Sequence, residues 1–152
     1  MAPVLHSPSL RYSFVASTSG YFGLRLTEGA NPGLFSFRVV DTTLFNPRWS
    51  TYGDFTTQWG FNNNSDADIS GTLTIFDASG TLLKTIDVTV PAGKAKFFSS
   101  GPGDLNLPNN MVGTATFAYV GPPGTIQADA YFLNSTGSVI VPSKFEPRNA
   151  QW

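Results

Sequence analysis

The sequence predicts an all-β fold, an antiparallel β-sandwich, on three observations. Apolar residues recur at period 2 in segment after segment, the pattern of strands that bury one face and wet the other. Clusters of turn-forming residues interrupt that pattern at roughly 8–12-residue intervals, the rhythm of a sandwich. The composition agrees: 14% aromatic residues, 15 Gly and 11 Pro stand beside only 12% charged residues, and Glu occurs only at Glu28 and Glu146, which favours strands and turns over helices.

In chain order, "LRYSFVAS" (10–17), "YFGLRLT" (21–27) and "LFSFRVV" (34–40) read as strands separated by "TSG" (18–20) and "EGANPG" (28–33). "DFTTQWGFNN" (54–63) reads as the next strand, ended by the polar turn "NNSDAD" (63–68). In "GTLTIFD" (71–77), Leu73 and Ile75 share one face while Thr72, Thr74 and Phe76 take the other. After "ASG" (78–80) the chain runs back through "TLLKTIDVTV" (81–90), which makes a hairpin. "PAG" (91–93) launches "KAKFFSS" (94–100), and "GPGDLNLPNN" (101–110) carries too much Gly, Pro and Asn for anything but a loop. "VGTATFAYV" (112–120) alternates again. "GPPG" (121–124) turns it into "TIQADAYFLN" (125–134), with Ile126, Ala128, Ala130 and Phe132 on one side, and "STG" (135–137) leads to "SVIVP" (138–142).

Residues 54–142 therefore hold about seven strands. The stretch "NNNSDADISGTLTIFDASGTLLKTIDVTVPAGKAKFF" (62–98) resembles the central strands of the immunoglobulin-like and fibronectin type III-like modules that occur in tandem on prokaryotic surface proteins. The resemblance covers about a quarter of the chain. It implies an immunoglobulin-like sandwich with additional N-terminal strands and an extracellular or cell-surface setting, but no activity.

One echo bears on domain organisation. "FNPR" (45–48) returns as "FEPR" (145–148), so that Phe45, Pro47 and Arg48 reappear as Phe145, Pro147 and Arg148. Read as a repeat, it makes residues 45–152 a sandwich module with a C-terminal tail and residues 1–44 extra strands or part of a preceding module. Read plainly, each Pro ends a strand and each Arg sits on a solvated edge.

Composition narrows the partners. Nine basic and ten acidic residues leave a net charge near −1 with no basic stripe, which disfavours nucleic acid and anionic membranes. The absence of Cys removes disulfides, thiolate metal sites and cysteine nucleophiles. The opening "MAPVLHSPSL" has neither a basic n-region nor an apolar h-region, so no signal peptide and no membrane insertion are expected.

Catalytic chemistry finds little support. His6 is the single histidine, and no Ser lies in a Gly-x-Ser-x-Gly elbow. Asp54, Asp129 and Glu146 would form a glycosidase-type pair only through tertiary folding. Asp66 and Asp68, beside Asn62, Asn63 and Asn64, offer oxygens to a hard cation but lack the EF-hand spacing, and a hydrogen-bonded Asx-type turn reads better. No catalytic residue, metal site or cofactor is therefore expected. Asn63-Asn64-Ser65 and Asn134-Ser135-Thr136 have the N-glycosylation pattern and fall in expected turns.

The leading expectation is a non-enzymatic structural or adhesive subunit that self-associates, with Leu10, Tyr12, Phe14, Phe22, Leu24, Phe35 and Phe37 available for assembly. The alternative is a carbohydrate-binding module that stacks polysaccharide on Trp49, Tyr52, Trp59 and Tyr131, although a sandwich core is the commoner place for Trp. A hydrolase using Asp54 or Asp129 is the third reading.

Overall fold

The computed structural model describes residues 41–137 and 140–147. The strands expected at 10–17, 21–27 and 34–40 lie outside the described residues, as do the assembly residues Leu10, Tyr12, Phe14, Phe22, Leu24, Phe35 and Phe37. Within the described part every regular element is a strand: β1 Thr43–Ser50, β2 Thr56–Asn63, β3 Ile69–Asp77, β4 Leu82–Val90, β5 Ala95–Ser99, β6 Val112–Val120, β7 Ile126–Leu133, β8 Ile140–Lys144 and β9 Glu146–Pro147. No helix of the described residues is long and apolar enough to cross a membrane. Strands β2 to β8 fall on the seven expected between residues 54 and 142, with ends shifted by one or two residues.

Two antiparallel sheets result. One has the order β4-β3-β6-β1-β9 and the other β5-β2-β7-β8. They face each other through rings: Phe61 of β2 lies 4.3 Å from Phe117 of β6 and 5.4 Å from Phe145, centroid to centroid. Inward positions alternate with wetter ones. In β6, Gly113, Ala115, Phe117 and Tyr119 are buried while the residues between them are half-buried, and in β3 Leu73 and Ile75 are fully enclosed. This alternation drives folding, since each large apolar side chain taken out of water contributes on the order of 2 kcal/mol.

Strand β1 departs from the sequence reading, which assigned no strand to "TLFNPRWS". Its register against β6 shifts between Asn46↔Ala115 and Trp49↔Gly113, so one extra residue is accommodated on β1. Pro47 sits in that bulge, where its missing N–H removes no ladder bond. The bulge also re-aims the strand, and Leu44, Asn46 and Trp49 all end up buried.

The loop 101–110 was expected, but its contribution to the core was not. Leu105 and Leu107 are buried, and their N–H groups donate to Ser99 O and Ser100 O. Asn106 and Asn110 take positive φ (49° and 57°), a conformation Asn tolerates better than most residues.

The β3–β4 turn is tied by Asp77, whose Oδ1 accepts hydrogen bonds from Ser79 Oγ (2.6 Å), Ser79 N (2.8 Å) and Thr81 N (2.8 Å). The Ser79 hydroxyl foremost, then the Thr81 amide, hold the Asp77 carboxyl below its ordinary range. A folded-state value below the unfolded one stabilises above the unfolded value, and the contribution fades as pH falls through the folded value. The stability difference between wild type and Asp77→Asn is therefore expected to shrink as pH is lowered from about 5 to about 2, measured by urea unfolding. A difference that grows on acidification would contradict this.

Candidate functional site

The four rings of the sugar-stacking alternative do not form one surface. Trp49 and Trp59 are fully buried, as the core-packing reading of the two indoles expected, so neither presents a face to a ligand and the alternative is corrected at both positions. Trp49 Nε1 donates to Phe76 O (2.9 Å) and Thr114 O (3.1 Å), which anchors the indole inside the five-stranded sheet. Trp59 belongs to the facing sheet, and its Nε1 donates to Asn46 Oδ1 (3.4 Å). Tyr52, 65% exposed, is on the loop between β1 and β2, whereas Tyr131, 36% exposed, is on β7.

The carboxylates also stay apart. Asp54 lies in the β1–β2 turn, where its Oδ2 accepts from Ser135 Oγ. Asp129 lies within β7, opposite Gly60 and Lys144. Roughly 13 Å of strand runs from Asp129 to Leu133 before the chain even reaches Ser135, more than the carboxylate separation of either glycosidase geometry. Glu146 is exposed on β9 opposite Phe45.

Around Asp66 and Asp68, the organising side chain is Asn63. It is buried, with Nδ2 donating to Ala67 O (2.8 Å) and Val90 O (2.9 Å), and Oδ1 accepting from Ser65 N (3.0 Å) and Ser65 Oγ (2.7 Å). Asp68 Oδ1 accepts from Ala92 N (2.9 Å). These bonds make the segment an Asx-type turn that joins two loops. They also engage the Asn63 amide, so this glycosylation pattern offers no free acceptor. Among the described residues no three His, Cys, Asp or Glu side chains converge as metal ligands.

A second buried amide escaped sequence reasoning. Asn46 is fully enclosed between the sheets, donating from Nδ2 to Ser143 Oγ (2.9 Å) and Lys144 O (3.2 Å). Ser143 Oγ in turn donates to Arg48 O (2.9 Å). Asn46 thus ties β1 to β8 across the sandwich, and a polar residue beside Pro gives no sequence signal of such a place.

The echo has a definite geometry. β1 and β9 pair antiparallel, Leu44 with Pro147 and Phe45 with Glu146, so the two Phe-x-Pro segments lie side by side. They are offset by one residue. Phe145 packs against the core while Phe45 faces out, and one sequence pattern serves two environments.

Between this strand pair and β7–β8 opens a cleft of about 490 Å³. Leu44, Ile126 and Phe145 supply apolar lining, with Asp41, Asp129 and Lys144 among the polar residues. Chain entry is fixed beside it: Asp41 Oδ1 accepts from Thr43 N (2.8 Å), and Thr42 Oγ1 donates to Tyr119 O (2.5 Å).

Comparison with known proteins adds a fold and no activity. No family model matches the chain, and no curated protein matches it. A solved structure, "Crystal Structure of Thermotoga maritima 1070", is similar with a TM-score of 0.53 at 12% identity, over 71% of this chain and 97% of that one. At that identity the likeness is one of fold alone, an all-β arrangement of two antiparallel sheets.

Proposed function

We propose that the chain is a non-enzymatic structural or adhesive β-sandwich subunit of an extracellular or cell-surface assembly, which self-associates by strand addition. The observation that carries this reading is the crowding of β1 at its start. Leu44 and Phe45 are flanked on one side by Phe117 and Thr116 of β6 and on the other by Pro147 and Glu146 of β9. The start of β1 is therefore paired on both sides and offers no free edge to a further strand.

The outer edge of β8 is open among the described residues. Strand β8 and the following β9 run opposite to β1. Every strand pair of the described sandwich is antiparallel, and in this proposal a strand of a second copy adds to β8 in the same manner. Donor and acceptor are then different patches, so the contact propagates into an open chain instead of closing as a dimer.

The immunoglobulin-like relation belongs to the same proposal. The order β5-β2-β7-β8 supports it, since it parallels the C′-C-F-G side of a variable-type sandwich, while the β3–β4 hairpin in the opposite sheet, between β2 and β5 in sequence, departs from that pattern. Low charge and polar turns support the extracellular setting.

The test is light scattering and electron microscopy of full-length protein over a concentration series. Polymers are expected, and they are expected to be lost on Val141→Lys, which charges the exposed edge of β8, and on Phe35→Lys with Phe37→Lys. A protein that stays monomeric at high concentration refutes the reading. Polymers insensitive to Val141→Lys refute β8 as the acceptor.

A further inference from the structure

Register decides which side chains share the solvent face of the four-stranded sheet. Trp59, Phe61 and Ala130 are buried, so Gln58, Gly60 and Asn62 of β2, Gln127 and Tyr131 of β7, and Phe97 of β5 lie on the opposite face. Phe97 stands opposite Gly60. A side-chain carbon built on Gly60 would lie 2.9 Å from Cε1 and 3.2 Å from Cδ1 of that ring. The ring thus leans across the sheet into the notch left by glycine, yet the residue remains 57% exposed. Tyr131 stands opposite Gln58, with Pro142 on its other flank. From Phe97 to Tyr131 the path is two strand spacings across and two residues along, roughly 12 Å.

The polar groups around these rings are of one kind. Among the described residues, the amides of Gln58, Asn62 and Gln127 have no hydrogen-bond partner within the protein, in contrast to the saturated amides of Asn46 and Asn63. Each offers two donors and one acceptor oxygen. Asp129 is paired in register with Lys144, so these two charges offset one another. Two aromatic rings set among neutral amides suit a ligand with an apolar C–H face and many hydroxyls. Their separation exceeds what one sugar ring can span, and the lack of cationic excess disfavours acidic glycans.

We propose that this face binds a neutral polysaccharide, with Phe97 and Tyr131 as stacking rings and the Gln58, Asn62 and Gln127 amides as hydroxyl partners. The site is separate from the strand edge proposed for assembly. Full-length protein is run on native gels containing hydroxyethyl cellulose, xylan, glucomannan or mixed-linkage β-glucan, and the polymer that retards it is titrated calorimetrically. Retardation by at least one polymer is expected, with affinity roughly tenfold weaker for Phe97→Ala and for Tyr131→Ala. Gly60→Ala, which lifts the Phe97 ring without removing a contact atom, is expected to weaken binding as well, while Tyr52→Ala, an exposed ring on the β1–β2 loop and not on this sheet face, leaves it unchanged. Thermal melting of each variant confirms that the fold persists. The proposal is overturned if no polymer retards the protein, if Phe97→Ala and Tyr131→Ala bind like wild type, or if Tyr52→Ala loses binding to the same extent.

Discussion

Gly113→Ala is expected to destabilise the protein by roughly 3–5 kcal/mol, a loss on the scale of emptying a core aromatic site. The added methyl carbon would sit 2.0 Å from Phe76 O, 2.8 Å from Trp49 Nε1 and 2.9 Å from the carbonyl carbon of Asp77. Two of these three neighbours are backbone of β3, which β4 and β6 hold on either side, so they cannot swing away as a flexible side chain would. The third is the indole of a fully buried Trp49. Its N–H donates to Phe76 O, the very carbonyl the methyl would strike, and to Thr114 O. Either the strand pair separates or the indole leaves its seat and both bonds with it. For a chain of this length the melting temperature should fall on the order of 10 °C. A variant melting within about 2 °C of wild type would mean that the β3–β6 pairing is looser than this geometry requires.

How much of this was legible in the sequence depended on whether a segment's faces differ in polarity. β3 and β6 announce themselves because Leu73 and Ile75, or Ala115, Phe117 and Tyr119, fall on alternate positions, with Thr72 and Thr74, or Thr114 and Thr116, among the residues between them. β1 does not, for two physical reasons. Its inward position 46 is an amide, and the bulge between Asn46 and Trp49 shifts the spacing of buried residues from two to three. β9 is two residues long, too short for any periodicity. In the loop 101–110, Gly and Pro signalled irregular backbone correctly, but Leu105 and Leu107 are buried by tertiary contact that no local pattern encodes.

The aromatic surface fared similarly. Trp49, Tyr52 and Trp59 are close in sequence, yet two sit inside facing sheets and one on a loop. Phe97 and Phe98 are adjacent, and only the pairing of β5 with β2 decides that Phe98 packs beneath and Phe97 lies outside over Gly60. Cross-strand register carries that information, and a single sequence does not display it.

The enclosed position of Asn46 leads to the other large expected effect. Asn46→Asp keeps the size of the side chain but replaces its N–H donors with an acceptor-only carboxylate, in front of Ser143 Oγ and Lys144 O. The variant must bury a charge beside a carbonyl oxygen or hold a proton, so its folded-state pKa rises above the unfolded value. Below the unfolded value both states carry the proton and the penalty is absent; it grows as pH rises above that value and is complete only above the raised folded-state value. At pH 7 the expected cost is about 3–5 kcal/mol, comparable to breaking a buried polar pair. Asn46→Leu serves as the uncharged comparison. It leaves Trp59 Nε1 and Lys144 O without the Asn46 amide and should cost about 1–3 kcal/mol at any pH. Urea unfolding of the three proteins at pH 7 and near pH 3.5 separates the contributions: the aspartate variant should be the least stable at neutral pH and approach the leucine variant in acid. An aspartate variant as stable as wild type at pH 7, or a gap between the variants that does not narrow in acid, would show that Asn46 is reached by water and does not act as a dry tie between the two sheets.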